Sequence, residues 1–324
     1  MEESVAALHE DLIAALKPQI QPVAPDDTMA EAGRKILLKE FVEMLKHEAG
    51  SRAGDDIEEV HDMRVATRRM RSAFRLLDEY YKPKAVREYS RSLRRVARAL
   101  GSVRDLDVLI EAMQDFVPKL PAEQQPHLQA VIERLDAQRA EARAELIKTL
   151  DKGLYRRFIQ DFAGFLTTSG AGARLSPDDT AVPSRVRHLL PTLIYSHLGA
   201  VRAYDGLIAE ADQTTLHALR IEFKRLRYAV SMFNDVLGPQ LKDFIEELKK
   251  IQDYLGAIQD NFAASYRLRE LQEDLPTEES DALQAYLDYL AGEAEKRQAG
   301  FSEVWRKFNT KTVQLKLASA VASV

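Results

Sequence analysis

The stretch VHDMRVATRRMR, at residues 60–71, returns later in the chain as LHALRIEFKRLR, at residues 216–227. Both copies contain the pattern H-x-x-R-x-x-x-[RK]-R-x-R, and the two histidines, His61 and His217, are 156 residues apart. A shared pattern of this length at a fixed offset is typical of a duplicated structural unit. The sequence therefore predicts an internal repeat.

The repeat extends well beyond the basic pattern. LGSVRD at 100–105 matches LGAIQD at 255–260, and further matches bring each copy to about 110 residues. Between the copies lies a segment rich in Gly, Ser, Pro and Asp, which indicates a linker. The chain is accordingly divided as follows: 1–25, a helix and an extended lead-in; 26–166, the first helical-bundle repeat; 167–184, the linker; 185–308, the second helical-bundle repeat; 309–324, a C-terminal tail.

Within each copy nearly every segment has the periodicity of an amphipathic helix, and strand-like alternation is almost absent. We therefore predict an all-α fold in which each copy is a helical bundle. The Leu100-Gly101 pair is interpreted as a break between two helices, 84–100 and 105–116. On this interpretation Asp105 and Asp260 are acidic residues at helix N-termini, where negative charge is favourable.

A stripe of cations runs along the helix that contains the first copy of the pattern. At about 100° per residue, one histidine and four arginines fall within about 80° of the helix surface. These residues are His61, Arg64, Arg68, Arg71 and Arg75. The second copy repeats the stripe with His217, Arg220, Lys224 and Arg227. Arg69 and Arg225 lie off the stripe and are predicted to pair with acidic neighbours.

A stripe of this kind is also compatible with the ordinary solvent-exposed face of a helix. Such a face normally mixes charges of both signs, because like charges four residues apart cost a few tenths of a kcal/mol each. An all-positive row that recurs in both copies instead predicts a binding surface for an anion. The row from His61 to Arg75 is about 21 Å long, which suits a chain of phosphates better than a single one.

Charge is unevenly distributed along the chain. The net charge is −5, yet residues 60–104 hold 13 Lys and Arg against 4 Asp and Glu. The helix after the first stripe adds Arg94 and Arg98 as further candidate ligand-binding residues, and its counterpart in the second copy keeps Lys249. Lys39, Lys46 and Arg202, on the helices that precede the two stripes, are weaker candidates. Glu246 and Asp253 make the second copy the less positive half.

Several site types fit the sequence poorly. The chain has no cysteine, and two histidines within arginine rows are poor metal ligands, because neighbouring cations repel a metal. We predict no metal, no cofactor and no catalytic residue, and we interpret His61 and His217 as phosphate donors or as supports of the arginine row. The acidic N-terminal segment and the lack of a long apolar stretch predict a cytoplasmic protein that does not cross a membrane.

The doubled basic pattern, followed by L-x-x-x-x-x-x-L-G-x-x-[RQ]-D, resembles the CHAD family, the conserved-histidine α-helical domain. The resemblance covers roughly residues 30–308. It implies two four-helix bundles related by pseudo-twofold symmetry, a basic central channel and binding of inorganic polyphosphate. The family's basic positions correspond to His61, Arg64, Arg68, Arg71, Arg94, Arg104, His217, Arg220, Lys224, Arg227 and Lys249. Gln259 departs from this pattern, because it replaces the basic residue found at Arg104.

Three functions compete at this stage. The leading one is non-catalytic binding of inorganic polyphosphate, with association with polyphosphate granules left open. A metal-dependent phosphohydrolase would need clustered carboxylates near the stripe, and only Asp105, Asp107 and Glu111 are close in sequence. A nucleic-acid binder would need aromatic side chains between the cations, and the stripe at 60–75 has none. A purely structural helical scaffold is the remaining alternative, and the oligomeric state is left open.

Overall fold

The computed structural model describes residues 3–174 and 184–324, and within these residues the regular structure is helical, without a β-strand. The helices of the first half are α1 Glu3–Leu16, α2 Met29–Lys46, α3 Glu48–Ala53, α4 Ile57–Leu76, α5 Pro83–Gln114, α6 Gln125–Asp151 and α7 Gly153–Thr167. Those of the second half are α8 Val186–Arg202, α9 Gln213–Met232, α10 Asn234–Leu237, α11 Lys242–Gln272, α12 Thr277–Phe308 and α13 Lys311–Ala322. The all-α fold class is confirmed.

Local sequence explains where the central helices begin. The Asp56 carboxylate accepts a hydrogen bond from the Glu58 backbone N–H at 2.8 Å and caps α4. Asp212 caps α9 in the same way, through the Thr215 N–H at 2.8 Å. Pro83 lies in the first turn of α5, where its missing N–H costs no hydrogen bond. The two helices that carry the basic stripes therefore start at defined residues.

Five long helices follow one another in the same order in both halves. In the first half α2, α4, α5, α6 and α7 have 18, 20, 32, 27 and 15 residues. In the second half α8, α9, α11, α12 and α13 have 17, 20, 31, 32 and 12 residues. This is the order expected of a duplicated unit, and it supports the repeat predicted from the sequence. The 175–183 part of the predicted linker lies outside the described residues.

Two sequence interpretations need correction. The predicted break at Leu100-Gly101 is wrong, because α5 continues through it to Gln114, and α11 continues likewise through Gly256. A glycine costs a helix only about 1 kcal/mol relative to alanine, and Leu100 on one side and Val103 on the other are buried in the core. Asp105 and Asp260 therefore lie inside long helices and not at helix N-termini.

Two hydrophobic clusters hold the molecule together, and each draws residues from both halves. The larger cluster surrounds α4 and α9 and includes Phe74 and Phe223. The smaller cluster forms where the hairpin of α5 and α6 packs against the hairpin of α11 and α12, with Leu109 and Leu287 among its members. We call this contact the hairpin joint. The division of the chain into residues 26–166 and 185–308 stays a prediction, and the structure adds that the packed core extends across it.

The two ends of the chain are also packed into the core. The segment predicted as a C-terminal tail contains α13, whose Leu317 and Ala320 are fully buried. After α1, the lead-in passes over α2, where the Lys35 ammonium donates to Asp27 at 2.7 Å and to the Pro22 carbonyl at 3.2 Å. The lead-in also reaches the second half, since the Val23 N–H donates to Asp235 at 3.3 Å. Among the described helices, none combines the length and apolar character of a membrane span.

Candidate functional site

Helices α4 and α9 pack against each other at the centre of the molecule. Each helix buries one face in the large cluster, represented by Met70 and Phe74 on α4 and by Phe223 and Leu226 on α9. The basic stripes occupy the remaining faces of the two helices. The distance between the two stripes therefore decides whether they form one site or two.

Lys224 shows that the stripes meet. Its pKa is lowered from 10.5 to about 8, first because the ammonium is partly removed from water and then because Arg68, Arg220, Arg64 and Arg75 surround it. Three of these four arginines belong to α4, in the other half of the chain. The second stripe therefore lies within the electrostatic field of the first.

Other guanidinium groups in this region are also crowded by cations. The pKa of Arg71 is lowered by burial and by Arg75, Arg94 and Arg64, so α5 contributes through Arg94. The pKa of Arg227 is lowered by burial and by Arg68, although Tyr228 and Asp253 partly oppose this. Burial is the largest cause of both shifts, and the further lowering by neighbouring guanidinium groups shows that the fold brings these positive charges together.

His61 lies at the end of the row, next to Arg104. Burial and the charge of Arg104 lower the pKa of His61 below its usual 6.5, with Glu58 and Asp62 partly opposing them. The imidazole is therefore neutral at neutral pH, with one ring N–H able to donate. Ten residues from both halves are thus linked by mutual proximity, and we call them the basic cluster: His61, Arg64, Arg68, Arg71, Arg75, Arg94, Arg104, Arg220, Lys224 and Arg227.

The basic cluster is poorly compensated by acidic residues. Among the described residues, a carboxylate lies within ion-pair distance of only two of its members. Arg64 pairs with Asp105 at 3.2 Å and Arg104 with Glu58 at 3.3 Å. The buried Nε of Arg68 and Nη1 of Arg104 have no hydrogen-bond partner. Since unpaired buried donors are costly, these atoms are suited to an anionic ligand.

The arginines off the stripe behave differently. Arg69 pairs with Glu40 at 3.4 Å and Arg225 with Glu222 at 2.6 Å. The prediction that these two residues find acidic neighbours is confirmed. Arg69 and Arg225 thus have the carboxylate partners that most members of the basic cluster lack.

Comparison with known proteins gives the family. The family model described as "CHAD domain" matches residues 35–269, which is more than half of the chain. The chain belongs to the CHAD family. Polyphosphate binding is the property known for CHAD domains.

Two solved structures share the fold. The crystal structure of the CHAD domain from the plant Ricinus communis matches with a TM-score of 0.70 and 22% sequence identity, over 92% of this chain and 94% of that chain. PptA from Streptomyces chartreusis matches with a TM-score of 0.66 and 12% identity, over 87% of this chain and 100% of that chain. No curated protein matches the sequence.

Some residues predicted for the CHAD site lie outside the basic cluster. Lys46 is exposed and pairs with Glu43 at 2.6 Å. Lys39 lines a cavity between α2 and α9. Arg98, Lys249 and Arg202 are exposed and form no ion pair with the described residues. Their role in ligand binding stays a prediction.

His217 differs from His61 in its surroundings. Its Nδ1 lies 2.5 Å from the Gln259 Oε1, and Gln259 is the residue that replaces the basic family position represented by Arg104. His61 lies beside a cation and His217 beside a neutral amide. The second half therefore offers less positive charge at this point, as its sequence predicts.

The acidic residues near the stripe do not form a metal site. Asp105 pairs with Arg64, whereas Asp107 is buried and lies 3.6 Å from Arg139 on α6. Burial raises the pKa of Asp107, and Arg139 and Arg104 oppose the rise. Within the part of the chain that the structure describes, no group of three or more potential metal ligands occurs.

Sequence reasoning missed Tyr228. Its side chain is buried and its hydroxyl has no hydrogen-bond partner, while the guanidinium of Arg227 lies 5.8 Å from the ring centre. In the repeat alignment Tyr228 falls opposite Ser72, so a search for features shared by both copies passes over it. The sequence signal that could have identified Tyr228 is its position directly after Arg227, the last residue of the second stripe.

Proposed function

We propose that this chain binds linear inorganic polyphosphate without transforming it, and that the basic cluster is the binding surface. The observation that carries the proposal is the depressed pKa of Lys224, about 8, which arises from burial and four surrounding arginines. A fold maintains such repulsion at a cost, and a polyanion removes it by supplying the missing negative charge. Membership of the CHAD family supports the same ligand.

The chemistry of arginine supports a chain of phosphates as ligand. Each guanidinium presents a planar fork of donors, which pairs with phosphate oxygens in charge-assisted hydrogen bonds. Eight of the ten cluster members are arginines, so the surface offers forks at many points along a path. We propose that this path is the channel between the two halves, with polyphosphate chains in the cytoplasm or in polyphosphate granules as the ligand.

The alternatives have less support. Phosphohydrolase activity needs a carboxylate cluster to hold a metal, and Asp105 and Asp107 are each engaged with an arginine. Binding of nucleic acid by base stacking needs an exposed aromatic face, whereas Tyr228, beside the cluster, is buried. We therefore propose a binding protein specific for a simple phosphate chain.

Calorimetric titration with polyphosphates of increasing length tests the proposal. We expect affinity to rise with chain length and to fall on the order of 100-fold between about 50 and 200 mM salt, because each neutralised phosphate releases counterions. Free phosphate, measured in the same samples with added Mg²⁺, should stay at background. Equal affinity for orthophosphate and long chains, or an affinity indifferent to salt, would contradict the proposal, as would tighter binding of single-stranded DNA than of polyphosphate.

Lys224 gives the binding a pH dependence. Because the pKa of Lys224 is about 8, raising the pH through this value removes its charge from the free protein. We expect polyphosphate affinity to fall by up to about tenfold between pH 7 and pH 9, because above a pKa of about 8 each pH unit adds about 1.4 kcal/mol to the cost of restoring the proton that binding needs. Lys224→Arg keeps the charge and should give a flat profile between pH 7 and 9. An equal fall in wild type and Lys224→Arg would assign the effect to another group.

A further inference from the structure

A cavity of about 220 Å³ lies next to the basic cluster, between the lead-in, α2, α4 and α9. Residues of both halves line it: Gln21, Val23, Lys35, Ile36, Lys39, Glu40, Arg69, Tyr228, Ser231, Met232, Asn234 and Asp235. Tyr228 borders both spaces, since its hydroxyl acts on the pKa values of Arg71 and Arg227 in the cluster. A single water needs only about 30 Å³, so the cavity has room for a larger polar group.

Two polar groups of the cavity wall are buried without a partner. Glu40 is 8% exposed, and its Oε2 makes no hydrogen bond. Tyr228 is 6% exposed, and its hydroxyl is equally unpaired. Burial raises the pKa of Glu40, while Arg69 and Lys39 oppose the rise. Unsatisfied buried groups cost about 1–3 kcal/mol each. The presence of two such groups in the wall of one cavity therefore indicates a site for a ligand.

The cations in the cavity wall differ in whether they already form a close ion pair with a carboxylate. Lys35 is held by Asp27 at 2.7 Å. Lys39 makes no ion pair with the described residues, and Arg69 has only its 3.4 Å contact with Glu40 Oε1. The cavity therefore offers an ammonium, a guanidinium and a phenol together with two carboxylates: the buried Glu40, whose Oε2 is unpaired, and the exposed Asp235, which accepts a hydrogen bond from the Val23 N–H.

This mixture selects among anions. The cations attract an anion. A hydrogen bond between that anion and Glu40 needs one proton between the two, because an ionised carboxylate only accepts hydrogen bonds, so above the pH at which Glu40 ionises the anion must supply this proton. Sulfate and the internal phosphates of a chain hold no proton near neutral pH. A terminal phosphate does, because its second ionisation is near neutrality, about 6 in phosphate monoesters.

We propose that the cavity is a subsite for the terminal phosphate of a polyphosphate chain. Lys39, Arg69 and the Tyr228 hydroxyl donate to its oxygens, and Glu40 shares the remaining proton in a charge-assisted O–H···O bond. The proposal rests on the proposed function, because the basic cluster delivers the chain to the cavity. The rest of the chain lies along the cluster, and the cavity fixes where it ends.

Orthophosphate and sulfate are the probes, since they have similar size and shape and differ in the proton. With wild-type protein near pH 6.5 we expect orthophosphate to bind at least about tenfold more tightly than sulfate, as one charged hydrogen bond allows. Glu40→Gln should abolish this preference. Glu43→Gln is the matched control on the same helix, because Glu43 pairs with Lys46 outside the cavity, and it should keep the preference.

A second pair of ligands tests the chain end directly. Wild type should prefer linear tripolyphosphate over cyclic trimetaphosphate, which has no end, and Glu40→Gln should lose part of this preference while Glu43→Gln retains it. Equal binding of phosphate and sulfate by wild type overturns the subsite, and so does an unchanged preference in a folded Glu40→Gln. Should Glu40→Gln fail to fold, Tyr228→Phe replaces it: this variant removes a donor that serves both anions, so it should weaken orthophosphate and sulfate alike, and unchanged binding of both by the folded variant overturns the subsite. Failure of long-chain polyphosphate to bind wild type would instead overturn the proposed function.

Discussion

Replacing Arg68 and Arg71 together with glutamate is expected to weaken polyphosphate binding by at least about 100-fold, which corresponds to about 2.7 kcal/mol. Each arginine provides a charge-assisted bond worth about 1.5–3 kcal/mol. The substituted glutamates would also neutralise their neighbours, because Arg68 acts directly on Lys224 and Arg227. The double exchange therefore removes more positive charge than the two residues themselves carry.

The same exchange in the second half, Lys224→Glu with Arg227→Glu, should cost less binding. Asp253 already offsets part of the charge of Arg227, so a phosphate near it gains less from the wild-type side chain. Calorimetric titration with long-chain polyphosphate ranks the two variants, and circular dichroism checks that both stay helical, as the buried Met70 and Phe74 are untouched. A larger loss in the second-half variant, with both proteins folded, would show that the second stripe dominates.

The second large effect concerns stability. Glu48 is fully buried and accepts hydrogen bonds from the Tyr155 hydroxyl at 2.5 Å and from Arg52 Nε at 2.9 Å, while His9 Nε2 lies at 2.8 Å. Glu48→Ala leaves the Tyr155 hydroxyl and His9 Nε2 without this partner, while Arg52 keeps Asp151 at 2.6 Å, and we expect a loss of about 3–5 kcal/mol in the free energy of unfolding. Glu43→Ala removes an exposed ion pair on α2 and should cost less than about 1 kcal/mol. Urea denaturation measures both.

Glu48 also predicts how stability depends on pH. Burial alone would raise its pKa, but the hydrogen bonds from His9 and Tyr155 and the charge of Arg52 outweigh burial and lower the pKa below 4.5. A carboxylate with a lowered folded-state pKa stabilises the protein above its unfolded pKa, and the contribution is lost as the pH falls through the folded value. Glu48→Gln should flatten the fall in stability below pH 4.5. A loss as small as that of Glu43→Ala would contradict the role given to Glu48.

The sequence was most informative where periodicity and repetition coincide. The all-α fold follows from the helical periodicity, the core face of α4 from residues such as Phe74, and the meeting of the stripes from the resemblance to the CHAD family. The continuity of α5 could not be foreseen, because a single Gly101 costs too little to end a helix whose two sides are both anchored in cores. Contacts such as His9 with Glu48 join segments far apart in the chain, and no local pattern encodes them.

The candidate site was foreseen in part. Grouping by helix face gathers nine of the ten members of the basic cluster, since a stripe is a local property of a sequence, and Arg104 comes from the resemblance to the CHAD family. The same grouping also included Lys46, which pairs with Glu43 at the surface. Helical periodicity does not reveal whether a lysine has a carboxylate partner. Tyr228 and Glu40 escaped notice because their importance lies in partners that they lack, and a missing partner is a property of three-dimensional packing alone.

The hairpin joint has a mechanical consequence for the basic cluster. The mutually repelling cations of the basic cluster would move apart if the two halves were free to separate, but separation would expose Leu109, Leu287 and the rest of the small hydrophobic cluster to water. The apolar packing at the hairpin joint therefore opposes the electrostatic repulsion within the basic cluster and keeps its cations close together. We expect a polyanion to find its donors already in place, without a closing motion of the protein. Because it neutralises the repulsion and binds only the folded state, it should also raise the free energy of unfolding.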